Sequence, residues 1–100
     1  MTVPGREEVN RLNVSVSSGA GSGTISQIWS ICRRLRIIPP AETDSYDVSI
    51  TDGDGHIIFK REAQVGTLSE AIELSLGIAK TVTFANATAN GTYAVKFDMH

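Results

Sequence analysis

The sequence is poor in the residues that carry out chemistry. It holds one cysteine, Cys32, so no internal disulfide can form. Cys32 lies in an apolar run, where a thiol serves as a small buried hydrophobe. Nothing supports a disulfide-stapled secreted scaffold. Histidine is nearly as scarce: His56 stands beside a turn and His100 is the last residue. A Ser/His/Asp or Cys/His nucleophilic set needs a histidine held by its neighbours. Both histidines read as solvated, and no enzyme is expected.

Long apolar runs are absent too. No window approaches the ~18 apolar residues of a membrane span, and the opening residues Met1 to Glu8 lack the apolar stretch of a signal peptide. The expectation is a chain folded in a reducing cytoplasm, away from membranes. A basic field is missing as well, with 9 Lys and Arg against 11 Asp and Glu for a net charge of −2. Direct nucleic-acid binding is therefore not expected. Arg33, Arg34 and Arg36 form the one dense basic cluster. On a strand Arg34 and Arg36 share a face, which reads as a solvated or interface-facing edge in preference to a phosphate site.

Other fragments of motif fall short. Gly19, Gly21 and Gly23 alternate, but no Lys-Ser/Thr follows as in a phosphate-binding loop. Asp52 and Asp54 are spaced like the start of a calcium loop, yet the further acceptors and closing Glu are missing, and Asp and Gly are what a turn needs for its backbone. Asn13, Asn86 and Asn90 each head a glycosylation-type triplet, read as chance in a Thr/Ser/Asn-rich β protein. Trp29, Tyr46 and Tyr93 could build a sugar-stacking platform, although aromatics in a domain this small more often fill the core. No catalytic, cofactor-binding or metal-ligating set emerges, and no cofactor is expected.

What is present is β pattern. A chain of 100 residues, 41% hydrophobic and 20% charged, is one soluble domain with room for one core. Tyr46 to Arg61 reads as a hairpin, two Val/Ile/Tyr/Phe/Thr runs around a Gly/Asp cluster. With Gly53-Asp54 as a type II′ loop, Ile50 opposes Ile57, Val48 opposes Phe59 and Asp47 opposes Lys60. Slipping the loop to Asp54-Gly55 sets Val48 against Arg61, and the first register is preferred. Asn90-Gly91 predicts a second hairpin of type I′, opposing Phe84 to Phe97, Val82 to Met99, Asn86 to Val95 and Thr88 to Tyr93. Asn86 is out of place on that apolar face, so it should lie near a sheet end or bond locally.

The remaining segments are less decisive. Leu12, Val14 and Val16 alternate with polar residues as a short strand. Ser17 to Gly23 has the composition of a flexible linker. Residues 25–36 fit a helical stripe through Ile25, Ile28, Trp29, Cys32 and Leu35, and also an alternating strand. The helical stripe is the cleaner by count, but the β-branched residues and the need to pair the neighbouring strands favour extended chain, and Pro39-Pro40 ends the segment either way. Residues 68–76 carry a capping box at Thr67 to Glu70, but Ile72, Leu74 and Leu76 alternate, and Gly77 would cost a helix about 1 kcal/mol. They are read as a strand. The result is an all-β fold, a small antiparallel β-sandwich built from hairpins, with an extended N-terminal arm. Residues 1–23 form the arm, a short strand and a Gly/Ser-rich loop, and residues 24–100 the sandwich.

Three segments carry a resemblance: Arg36-Ile-Ile-Pro-Pro-Ala-Glu-Thr-Asp-Ser-Tyr-Asp-Val-Ser-Ile-Thr-Asp-Gly-Asp-Gly, Gly66-Thr-Leu-Ser-Glu and Ala85-Asn-Ala-Thr-Ala-Asn-Gly-Thr-Tyr. Over about residues 25–98 the chain resembles small virion-associated β-sandwich proteins of tailed bacteriophages. The resemblance implies a structural virion protein, foremost a capsid decoration or cement protein stabilising the head. A neck or tail component is the alternative, or a carbohydrate- or receptor-binding module at a fibre. It implies partners among the major capsid or other virion proteins, homo-oligomers, and location in the virion after folding in the host cytoplasm. Thr2 to Arg11 and the Arg33/Arg34/Arg36 cluster are the expected contact residues.

Overall fold

The computed structural model describes residues 8–25, 31–75 and 79–99, with side chains from residue 11 to residue 98 of these. It contains eight strands: β1 (Glu8–Val16), β2 (Gly21–Ile25), β3 (Ile31–Ile38), β4 (Ser45–Thr51), β5 (Ile57–Val65), β6 (Leu68–Ser75), β7 (Lys80–Ala85) and β8 (Gly91–Met99). They form two antiparallel four-stranded sheets, ordered β1-β8-β3-β6 and β2-β7-β4-β5. The expected β-sandwich is therefore present. Among these strands β4 and β5 are the one consecutive pair that shares a sheet; every other connection crosses from sheet to sheet.

Alternation drives the packing. Tyr46, Val48 and Ile50 of β4, Val82 and Phe84 of β7, and Tyr93, Val95 and Phe97 of β8 are buried, while their sequence neighbours are half-buried or exposed. Successive side chains on a strand point to opposite faces, so each strand gives one row to the core. Tyr46, Phe84 and Tyr93 meet with ring centroids 4.9 to 5.6 Å apart. Aromatic pairs tilted at such distances add about 0.5–1.5 kcal/mol beyond the area they bury. The Tyr46 hydroxyl donates to the Gly66 carbonyl at 2.8 Å and the Tyr93 hydroxyl to Ala89 at 3.0 Å, so neither buried ring leaves its polar tip unpaired. Desolvation pushes the Tyr46 hydroxyl up to about 12.

The ambiguous stretch is extended where it is described. In β3, Cys32, Leu35 and Ile37 are buried, and a bulge falls between Cys32 and Arg34. The bulge lengthens the inward spacing from two residues to three between Cys32 and Leu35. That is why the segment also fits a helical stripe. The Cys32 thiol is fully buried, its pKa raised chiefly by desolvation, and it donates to the Arg34 carbonyl at 3.2 Å. Residues 68–75 are likewise extended, as β6.

Three expectations need correction. The first is the β4–β5 register. Val48 opposes Arg61, Ser49 opposes Lys60 and Ile50 opposes Phe59, before a shift sets Thr51 against Ile57. The body of the ladder thus follows the alternative register, with Val48 against Arg61. The loop is three residues long, with Asp52 N donating to the His56 carbonyl and Gly55 N to the Asp52 carbonyl. Gly55 takes a φ of 83°, so the left-handed residue closes the turn instead of opening it.

The second is the Asn90-Gly91 hairpin. β7 pairs with β2 and β4, and β8 with β1 and β3, so Phe84 and Phe97 come from opposite sheets. The connecting segment is held across the end of the sandwich by bonds to two other loops. Ala87 N donates to Gly19, Thr88 N donates to Ser45, and the Asn90 side chain accepts from Ser18 N. Asn86 lies exposed just past the end of β7, the sheet-end position expected of it, with φ 51°, and donates to the Asp47 carboxylate of β4 at 2.7 Å.

The third is the Gly/Ser stretch. Ser17 to Ala20 is a tight turn with paired main-chain bonds, and Gly21–Ile25 is a strand on β7. A Cβ on Gly21 would lie 2.3 Å from the Ser15 carbonyl oxygen, so glycine here permits a close approach of main chains. β1, read as a strand of the arm, runs along β8 from Glu8 to Val16, and the division placed at residue 23 falls inside β2. Residues 1–7 of the arm lie outside the described residues.

Candidate functional surface

The fold disperses most of the residues that chemistry would use. His56 is exposed at the β4–β5 turn, while His100 and Trp29 lie outside the described residues. Tyr46 and Tyr93, two members of the possible sugar platform, are core residues at 1% and 0% exposure. Asp52 is committed to its own turn. One carboxylate oxygen accepts from Asp54 N at 2.9 Å and from His56 N at 3.0 Å. The backbone bond from His56 is the main reason its pKa is lowered. Among the described residues no group of three or more His, Cys, Asp or Glu could hold a metal ion.

The arginine cluster sits on the outer face of β3, which is a central strand and not the edge expected. Arg34 and Arg36 share that face as the alternation requires. Arg33 pairs with Glu73 at 3.5 Å, Arg34 donates to Ser69 at 3.1 Å, and Arg36 to Asp98 at 2.7 Å. These arginines are engaged within their own sheet.

The surface feature that stands apart is β5. It is an end strand of its sheet, and all nine of its side chains are exposed or half-buried. The exposed large apolar side chains among the described residues are Ile57, Ile58 and Val65, all on this strand, with Ile57 and Val65 at 57% and 60%. The register shifts explain why. A shift near Ile50/Thr51 sets Ile57 beside Thr51, on the outer face, while Phe59 stays beside buried Ile50. A second shift, between Tyr46 and Val48, leaves Ala63 with a φ of 52° and its N–H donating to the Asp47 carboxylate at 2.8 Å. That bond is the leading cause of the lowered Asp47 pKa, with the Asn86 side chain second.

Polar side chains tie β5 to the neighbouring sheet. Arg61 donates to the Glu70 carboxylate of β6 through Nε at 3.0 Å and through a second nitrogen, and its guanidinium lies 4.6 Å from the Phe59 ring centroid. Glu42 accepts from the Thr67 N–H at 3.0 Å and the Thr67 hydroxyl at 2.6 Å, which lowers its pKa. On the outer face Lys60 and Glu62 approach to 3.4 Å. Ile57, Lys60 and Glu62 rise beside Ser49, Thr83 and Ala85 around a shallow groove of about 210 Å³. That is smaller than the ~300 Å³ at which small-molecule pockets usually begin.

No family model matches the chain, and no curated protein does. Solved structures with a loose likeness in architecture include these three. One is the carbohydrate-binding module CBM36 in complex with calcium and xylotriose, at TM-score 0.39 and 11% identity, covering 99% of this chain and 90% of that one. Another is the enzymatically active domain of bacteriophage CBA120 tailspike protein 4, at TM-score 0.38 and 10% identity, covering 94% of this chain and 18% of that one. The third is infectious bursal disease virus, Gx strain, at TM-score 0.35 and 12% identity, covering 95% and 30%. The chain thus spans less than a third of the length of the two viral chains.

The sequence pattern hid this surface because Ile57 and Phe59 share a parity and read as one inward row. The shifts that separate them are set by the turn. Lys60, Arg61 and Glu62 in mid-strand were the available signal, since charge is one device that protects an edge strand, although central β3 carries three arginines and charge alone does not identify an edge.

Proposed function

We propose that the chain is a non-enzymatic structural protein of a virus particle, and specifically a capsid decoration protein that acts by burying its surface against neighbouring subunits. The observation that carries this reading is the placement of Ile57, Ile58 and Val65, the exposed large apolar side chains among the described residues, along one sheet edge. Contiguous exposed apolar patches mark sites of protein contact; Ile57 and Ile58 adjoin at one end of β5, and Val65 lies at the other. The sequence resemblance over about residues 25–98 supports the same class. Many copies on one particle would multiply a modest contact into firm attachment. The arm residues 2–7 lie outside the described residues and remain proposed contacts; a truncation that tests them should stop at residue 7, because β1 begins at Glu8.

The test is the copy number of the chain in purified particles, by quantitative mass spectrometry against the major capsid protein. A ratio near the capsid subunit count is the expected result. A few copies per particle would replace decoration by a neck, tail or fibre position. Absence from the particle would overturn the structural reading.

A carbohydrate-binding module is the second reading, favoured by the groove on the outer face, where Ser49, Lys60, Glu62 and Thr83 offer polar groups beside Ile57. Titration with oligosaccharides should then move the amide resonances of Ser49 and Thr83; unchanged resonances would remove it.

A further inference from the structure

The edge of β5 has a self-complementary sequence. Read outward from Arg61, Lys60 on one side is matched by Glu62 on the other, and Ile57 by Val65. We infer that β5 pairs antiparallel with β5 of a second copy of this chain, about a two-fold axis passing beside Arg61.

The geometry selects this register. A two-fold that joins two edges into one continuous antiparallel sheet must stand perpendicular to the sheet, so outward side chains of one copy lie opposite outward side chains of the other. The pairing must therefore centre on a residue and not between two. Centring on Lys60 sets it against its own copy, and centring on Glu62 does the same with two carboxylates. Like charges directly opposite are unfavourable. Centring on Arg61 also sets one residue, Arg61, against its own copy, but it alone sets Lys60 opposite Glu62 twice and Ile57 opposite Val65 twice. The faces agree, because Ile57 lies beside Thr51, Lys60 beside Ser49 and Val65 beside Ser45, all on the outer side. The two Arg61 side chains meet on the inner side, where each is already bonded to its own Glu70 and lies over its own Phe59.

One local bond must be shared or given up: the Lys60 carbonyl, beside the axis, accepts from the Arg61 guanidinium at 2.7 Å. The Ala63 N–H is turned toward Asp47 in its own sheet. Charges and bulges protect an edge from indiscriminate pairing; here they leave one register in which every outer charge finds its opposite. The product is an eight-stranded sheet ordered β2-β7-β4-β5-β5-β4-β7-β2. A contact one strand long falls at the small end of interface sizes, so the dimer should dissociate on dilution. This inference rests on β5 alone and not on the virion reading. A failed copy-number test leaves it standing, and its own failure leaves decoration standing.

The experiment is sedimentation equilibrium on the intact chain and on the variants Lys60→Glu and Glu62→Lys. Wild type should show a concentration-dependent dimer. Each variant alone should dimerise about tenfold more weakly, since each places two like-charge pairs across the axis. An equimolar mixture of the two should recover the wild-type affinity, because each carboxylate of the first variant then faces an ammonium group of the second. Mixing cannot restore the pair within a chain, so recovery reports contact between chains. Thermal unfolding of each variant establishes that both are folded. A wild-type chain that stays monomeric at millimolar concentration, or a mixture no better than its components, overturns the proposal.

Discussion

At one end of the sandwich β1 and β2 meet main chain to main chain. A Cβ on Gly21 would lie 2.3 Å from the Ser15 carbonyl oxygen, and one on Gly23 would lie 3.2 Å from the Val14 side chain. At the other end β5 and β6 are joined through side chains, Arg61 to Glu70 across the sheets and Glu42 to Thr67 at the connection. Close main-chain packing brings β1 and β2 together, with a ladder contact between them only at the Ser17–Ala20 bridge among the described residues. At the side-chain-joined end, β5 keeps three large exposed apolar residues and a free outer edge with no strand paired to it among those described. The glycine-rich segment, which by composition looks loose, is the tightly built end.

The largest effect should follow from filling the close approach. Gly21→Ala needs a main-chain shift in β1 or β2 and should cost about 3 kcal/mol in urea unfolding, the upper range for overpacking. Gly23→Ala meets only side chains, which can give way, and should cost about 1 kcal/mol. Equal losses at both sites would break the contrast. Next comes Tyr46→Phe, which strands the Gly66 carbonyl behind the open end and should cost about 1–2 kcal/mol in the same assay. Arg61→Ala removes a half-exposed ion pair and a ring contact, and should cost about 1 kcal/mol or less once solvent screening is allowed for.

Acid should produce the smallest and most local change. Glu42 and Asp47 both have folded pKa values below the ordinary 4.5 and 3.8, through bonds from Thr67 and Ala63 respectively. A depressed carboxylate contributes its full stabilisation above the unfolded value and loses it as pH falls through the folded one. The open end should therefore loosen below about pH 4.5 while the β1–β2 turn, held by main-chain bonds at Ser17 and Ala20, does not. Amide exchange at pH 3 against pH 6 checks this. Glu42→Gln and Asp47→Asn should each flatten the acid limb.

Much of the fold was legible because alternation fixes which side chains face inward. Phe84 and Phe97 fall in one apolar row of the sequence pattern, and both are core. Parity alone does not say whether two such residues lie side by side in one sheet or face each other across two. A hairpin and an arch therefore share the same pattern at Asn90-Gly91, and the arch is the form held by tertiary bonds from Ala87 N to the Gly19 carbonyl and from Thr88 N to the Ser45 carbonyl. Period also misleads where a bulge intervenes, as between Cys32 and Arg34. The β5 edge was illegible for a related reason: a turn one residue longer than the two-residue reading moved Ile57 to the outer face.

The measurement that bears most directly on where this protein meets its partners is amide exchange across a concentration series of the intact chain, resolved by residue. Amides of residues 57–65 should become slower to exchange as concentration rises, while those of β2 stay constant. Slowing at β2 instead, or no dependence on concentration anywhere, would contradict the assignment of the contact surface to the open end.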